Sequence, residues 1–128
     1  MSYHFSKTLS LSMEDAVTRT KEVLAKSGFG VVSEIDMSAT LKKKIGAEIY
    51  PYRILGACSP GHAHIAITAE SHIGLMLPCN VIVREFEPGK CEVSAIDPIA
   101  SMQAVENNEL SAVSRDIQDR LKMVINTL

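Results

Sequence analysis

Residues 73 to 96 read Ile-Gly-Leu-Met-Leu-Pro-Cys-Asn-Val-Ile-Val-Arg-Glu-Phe-Glu-Pro-Gly-Lys-Cys-Glu-Val-Ser-Ala-Ile, and this stretch decides the fold. Two runs rich in branched residues flank Phe86-Glu87-Pro88-Gly89-Lys90, the pattern of an antiparallel hairpin. Pro88 and Gly89 suit the central positions of a type II turn, the first by its fixed φ and the second by tolerating positive φ. With Glu87 opposite Lys90, Arg84 faces Val93 and Val81 faces Ile96. Ile82, Arg84, Phe86, Cys91, Val93 and Ala95 then share one face, taken here as the one that packs on helices. Two-residue hairpins prefer primed turns, so a bulge beside Pro88-Gly89 remains the alternative, and it exchanges the faces.

Working outward, Asp97-Pro98 opens a short helix with a carboxylate cap and proline at its first position. Leu110, Val113, Ile117, Leu121, Val124 and Leu128 then step by three or four, with Arg115, Asp116, Asp119, Arg120 and Lys122 on the outside, which predicts a long amphipathic terminal helix. Toward the N-terminus, Ser59-Pro60 predicts a helix to about Ala69. Its apolar residues, Ala63, Ile65, Ala66, Ile67 and Ala69, spread around the circumference, so it is expected to be well buried. Tyr52 to Ala57 and Gly30 to Asp36 read as strands, with Ser38 capping a short helix between them that ends in Lys42-Lys43-Lys44-Ile45-Gly46. Tyr3 to Leu9 reads as a first strand. After it, Ser12 caps a helix whose apolar stripe is Met13, Ala16, Val17, Thr20, Val23 and Leu24. Helices interspersed with an obligatory hairpin predict an α+β two-layer α/β sandwich, with helices on one face of a mixed sheet. The uncovered face, carrying branched residues, predicts a homodimer.

Length and composition narrow the function. The chain has 128 residues, 46% hydrophobic and 22% charged, which suits a single domain over 1–128. Thirteen Lys and Arg against fifteen Asp and Glu give a formal net charge of −2, without the basic field that recruits nucleic acid. No apolar run reaches the length of a membrane span and the first residues lack a secretory pattern, so a cytoplasmic protein is expected. The three cysteines, Cys58, Cys79 and Cys91, form no C-x-x-C pair and are read as reduced thiols.

Candidate chemistry is sparse. Cys79, in Leu77-Pro78-Cys79-Asn80, and Cys58, before a capped helix, are candidate nucleophiles if an imidazole from His62, His64 or His72 lies nearby. For both, the leading reading is a small buried hydrophobe. The histidines and Glu70 are the only potential metal ligands. His62 and His64 diverge on a helix, so no metal is expected. Arg53, beside Tyr52, can bind an anion through its planar fork, and Glu34 can act as a base if enclosed.

Five ordered blocks, Gly28 to Asp36, Ala39 to Lys44, Tyr52 to Cys58, Ile73 to Val81 and Ile96 to Pro98, give the chain a resemblance to the bacterial and archaeal domain-of-unknown-function family DUF302. The resemblance implies a compact two-layer fold, usually a homodimer, with no established activity. It places the family's motif positions at Glu34, Lys42, Tyr52, Arg53, Gly56, Cys58, Glu70, Leu77, Pro78, Cys79, Asn80, Asp97 and Pro98. The histidines of Gly61-His62-Ala63-His64 depart from the family's usual pattern, so chemistry at them does not follow from the resemblance. The reading that results is a homodimeric module binding a small polar or anionic ligand near Glu34, Arg53, Cys58, Cys79 and Asn80. A cysteine-dependent enzyme or redox protein using Cys79 or Cys58 is the alternative, and no cofactor is identified.

Overall fold

The computed structural model describes residues 2–128. Five strands, β1 (His4–Leu9), β2 (Gly30–Asp36), β3 (Tyr52–Cys58), β4 (Cys79–Glu87) and β5 (Lys90–Ile96), form one sheet in the order β1-β5-β4-β3-β2. Every neighbouring pair is antiparallel, so the sheet expected to be mixed has no parallel ladder. The α+β sandwich itself stands. Strands β2, β3 and β4 are consecutive neighbours, whereas β1 pairs with β5 from the far edge.

The hairpin adopts the bulged alternative. Glu87 pairs with Lys90, but the register slips between Glu85 and Glu87, so that Arg84 lies opposite Glu92, Val83 opposite Val93 and Val81 opposite Ala95. Gly89 has φ +77°, the left-handed conformation the turn demands. An unprimed turn twists against the flanking strands, and the extra residue at Phe86 restores the match. On β5 the expected inward residues, Cys91, Val93 and Ala95, are buried. On β4 the faces are exchanged: Cys79, Val81 and Val83 enter the core, and Ile82 and Arg84 turn to the other side. Arg84 there pairs with Glu92 (Nη2 to carboxylate oxygen 3.0 Å) rather than being buried without a partner.

Helix α1 (Met13–Lys26) and the terminal helix α5 (Leu110–Thr127) lie across the face made by Leu55, Val81, Val83, Val93 and Ala95. The predicted stripes supply Ala16, Val17 and Leu24 from α1 and Ile117, Leu121 and Val124 from α5, all buried. Ser12 caps α1 by accepting from the Asp15 backbone N–H at 3.2 Å. Thr20, fully buried on the same stripe, donates to the Ala16 carbonyl, so its hydroxyl enters the core satisfied.

The short helix α2 (Met37–Ile45) is capped by Asp36, not Ser38. Asp36 accepts from the Ala39 N–H at 2.9 Å and from the Ser38 hydroxyl at 2.7 Å. Those bonds, the backbone one first, hold its carboxyl below the usual range. A smaller core joins helix α3 (Pro60–Ala69), a 3₁₀ turn (Ser71–Met76), the one-turn helix α4 (Pro98–Ser101) and the start of α5 through Ala66, Ile73, Met102 and Leu110. The 3₁₀ turn takes up the first part of the apolar run from Ile73, and β4 begins only after Pro78. Helix α3 is less buried than its composition predicts: only Ala66 is buried, while Ile65 and Ile67 are 53% and 50% exposed. Its apolar positions encircle the helix, and one side only meets a partner.

Gly56 marks the tightest surroundings of any glycine among the described residues. A Cβ there would lie 2.2 Å from Ser33 Oγ and 2.6 Å from Pro78 Cγ, across the register shift at Val31/Ser33 that loops Val32 out of the β2 ladder. Gly56→Ala is therefore expected to destabilise the fold by about 1–3 kcal/mol, measured by urea unfolding. An unchanged midpoint would show that Ser33 and Pro78 give way freely.

Candidate functional site

The five residues expected to share one site do not converge. Arg53 is enclosed by carboxylates: Nη2 meets Glu14 at 2.8 Å, Nη1 meets Glu34 at 3.3 Å, and Nε lies 4.0 Å from Asp36. Glu34 also pairs with Lys21 at 2.6 Å. An anion approaching Arg53 would meet three negative groups, so this cluster is an internally compensated surface network. Asn80 lies opposite Gly56 and alternates with the buried Cys79 and Val81. It belongs to the uncovered sheet face, in a shallow depression with Ile82, Arg84 and Ser94.

Cys58 and Cys79 are brought together in a cavity of about 260 Å³ on the side of the small core. Strand β3 and the start of β4 contribute Ala57, Cys58, Pro78 and Cys79. Helix α3 contributes His62, Ala63, Ala66 and Ile67, and α5 contributes Leu110, Val113, Ser114 and Ile117, with Phe29, Val32 and Met102 completing the wall. The β2 bulge is what brings Val32 to this wall, a use of an extra residue that an unbroken ladder would forbid. The lining is overwhelmingly apolar.

Burial governs the cysteines. Cys79 is 5% exposed and its thiol is pushed up to about 11, by desolvation first and then by neighbouring Cys58. The buried Cys91 thiol is also raised, and it donates to the Leu11 carbonyl at 3.4 Å. A thiol whose pKa rises is less of a nucleophile near neutrality, which argues against Cys79 in that role. The histidine is engaged elsewhere. His62 Nδ1 is 2.6 Å from Ser59 Oγ, and Nε2 is 2.5 Å from Asp116 Oδ2.

This Ser59-His62-Asp116 chain was missed in the sequence. Ser59 reads as a helix cap, yet its side chain makes no capping bond. Asp116 reads as an outer-face residue of α5, and only the docking of α3 on α5 brings it to His62. The one available signal was the Ser-x-x-His spacing at a helix start. The Asp116 carboxyl is held below its usual range, chiefly by its hydrogen bond with His62 and also by Arg120, 3.5 Å away. An ionised carboxylate can only accept, so Nε2 carries a proton toward Asp116, and whenever the ring is neutral Nδ1 is the nitrogen that accepts from Ser59.

His64 and His72 are exposed, and Glu70 accepts from Asn107 at 3.3 Å. Among the described residues no group of three or more His, Cys, Asp or Glu side chains is placed to hold a metal ion. Among the described residues no helix is long and apolar enough to cross a membrane.

An antiparallel five-stranded sheet backed by two long helices, with an apolar cavity beside a second small core, defines a two-layer α+β protein. The profile of the family described as domain of unknown function DUF302 matches residues 5–128, and the chain belongs to that family. Among solved structures it is similar to an uncharacterized conserved DUF302 protein from Bacillus stearothermophilus, at 25% identity and TM-score 0.89 over 98% of each chain. No curated protein matches.

Alkylation tests the burial argument. In native protein at pH 8, iodoacetamide is expected to modify the partly buried Cys58 while sparing the buried Cys79 and Cys91, all three reacting once urea is added. Peptide mapping reads the result. Native labelling of Cys79 at the rate of Cys58 would refute the raised pKa.

Proposed function

We propose that the protein is a small-molecule binding module whose ligand has an apolar body and one hydrogen-bonding head. The observation that carries this reading is the cavity itself: an apolar wall with Ser59 and His62 as the polar pair at its side. Binding sites of this kind gain affinity from the apolar wall and orientation from a few polar groups. Taking a methylene as similar in size to liquid water's share of about 30 Å³, the cavity accepts roughly eight heavy atoms. The polar or anionic ligand expected from Arg53 is replaced in this reading, because that guanidinium is already compensated. Cys58 and Cys79 remain ligand-contacting residues, as wall rather than as nucleophiles.

The test is titration with 2-hexanone followed by amide chemical shifts. Shifts are expected at Ala63, Ala66, Val113 and Ile117, and Ala63→Phe is expected to abolish them by filling the space. Shifts scattered over the surface would refute the cavity as the site. Shifts at Arg53 with inorganic phosphate in place of the ketone would restore the anionic reading.

A homodimer formed through the uncovered face is the second part of the proposal. Ile35, Ile54 and Ile82 lie side by side across β2, β3 and β4, and the row continues into Ser94 and Ser6, whose hydroxyls are 2.7 Å apart. Such a face has an apolar half to bury and a polar half to fix orientation. Sedimentation equilibrium is expected to give twice the chain mass, and Ile82→Arg to give the monomer with its far-ultraviolet dichroism unchanged. A wild-type monomer at 0.1 mM, an order-of-magnitude loading that captures micromolar pairing, would end this reading. The proposed setting is the cytoplasm, supported by three cysteines without a disulfide.

A further inference from the structure

We infer that the side of this cavity is an acyl-transfer site, with Ser59 as nucleophile, His62 as its general base and Asp116 as the residue that positions the base, acting on short-chain carboxylic esters. The inference rests on the cavity being the binding site. It goes beyond it in assigning a reaction.

Three independent features coincide at Ser59. Its hydroxyl is within hydrogen-bond reach of an imidazole nitrogen, at 2.6 Å, and the other nitrogen is held by a carboxylate at 2.5 Å. That is the nucleophile-base-orienter geometry of covalent acyl transfer, recognised by roles rather than by order in the chain. Here the ring uses Nδ1 toward serine and Nε2 toward aspartate, the reverse of the commoner arrangement. The proton inventory is the same: in the neutral ring the Asp116 carboxylate keeps the proton on Nε2, and Nδ1 is the acceptor. Secondly, Ser59 and His62 both line the apolar cavity, so a substrate acyl chain seated there brings its carbonyl to the side where the hydroxyl lies. Thirdly, Ser59 is the residue at the start of the ten-residue helix α3 and does not use its side chain as a cap. The first backbone N–H bonded across this end is that of Ala63, to the Ser59 carbonyl, which leaves the Gly61 and His62 N–H groups at the positive end of the helix for a developing oxyanion.

The steps balance with water as the co-substrate. Ser59 Oγ attacks the ester carbonyl carbon, forming a C–O bond, while its proton passes to His62 Nδ1. The tetrahedral species collapses by breaking the bond to the alcohol oxygen, which takes the proton from Nδ1. Water then attacks the acyl-Ser59 carbonyl and gives a proton to Nδ1. Breaking of the acyl bond returns that proton to Ser59 and releases the carboxylic acid. No oxidant or metal enters. Val32, Ala66 and Ile117 contact the acyl chain, and the cavity volume limits it to short chains.

Two readouts test this on the whole protein. A short-chain alkyl fluorophosphonate is expected to add once by intact mass, at Ser59 by peptide mapping, and p-nitrophenyl butyrate is expected to be hydrolysed. Ser59→Ala is expected to abolish both, and His62→Gln to lower kcat by about 10²-fold or more. Asp116→Asn is expected to lower kcat with KM little changed, Asp116→Glu recovering part of the loss, a split that a merely structural role would not produce. An unmodified mass, or Ser59→Ala hydrolysing the ester at the wild-type rate, would overturn the inference. If 2-hexanone still shifts the cavity amides in that case, the binding reading survives and only the chemistry fails. If those amides do not move, both fail together.

Discussion

One extra residue beside the Pro88-Gly89 turn governs the rest of the structure. The turn is of the hand that splays a hairpin, and the slip between Glu85 and Glu87 absorbs the mismatch. Because side chains alternate along a strand, that slip exchanges every residue of β4 from one face to the other. Val81 and Val83 are thereby buried under α1 and α5, and Arg84 meets Glu92 on the far side. Without the bulge, a guanidinium would enter the helix-covered core and two valines would leave it. The hydrophobic core and the composition of the uncovered face are both consequences of this local accommodation.

A second irregularity shapes the site. The β2 ladder shifts between Val31 and Ser33 beside Gly56, where Ser33 and Pro78 crowd into the space a side chain would need. Val32 is released to the cavity wall, and β4 starts directly after Pro78. The main core and the small core meet along this line. The cavity is the space left between two packed clusters that share α5 but converge on different residues of it: Ile117, Leu121 and Val124 in one, Leu110 in the other. The same sharing presents Asp116 to α3. A helix that carries one core along its length and another at its start has its polar flank positioned for it by packing.

Much of the architecture was legible because it depends on periodicity and caps. The α1 and α5 stripes, the Ser12 cap, the Asp97-Pro98 helix start and the β2 and β3 segments are properties of contiguous residues. What failed were readings that needed a partner. Asp36 outcompetes Ser38 as a cap because its carboxylate reaches the Ala39 amide while Ser38 donates to it. Helix α3 looked buried because alanine and isoleucine surround it, and nothing in its own sequence says that only one side finds a neighbour. Arg53 looked like an anion receptor until Glu14, Glu34 and Asp36, from two other elements, were seen around it.

The chain's order of residues by itself determined the strands, the long helices, the turn and the family resemblance, since each is encoded by local conformational preference or by patterns within a few residues. The tertiary structure alone decided which face of β4 is buried, which cations are already compensated, and that Ser59, His62 and Asp116 form one chain beside an apolar cavity. Those are relations between groups far apart in the chain, 57 positions in the case of Ser59 and Asp116. They are settled by packing and Coulombic competition in space, to which no local pattern has access.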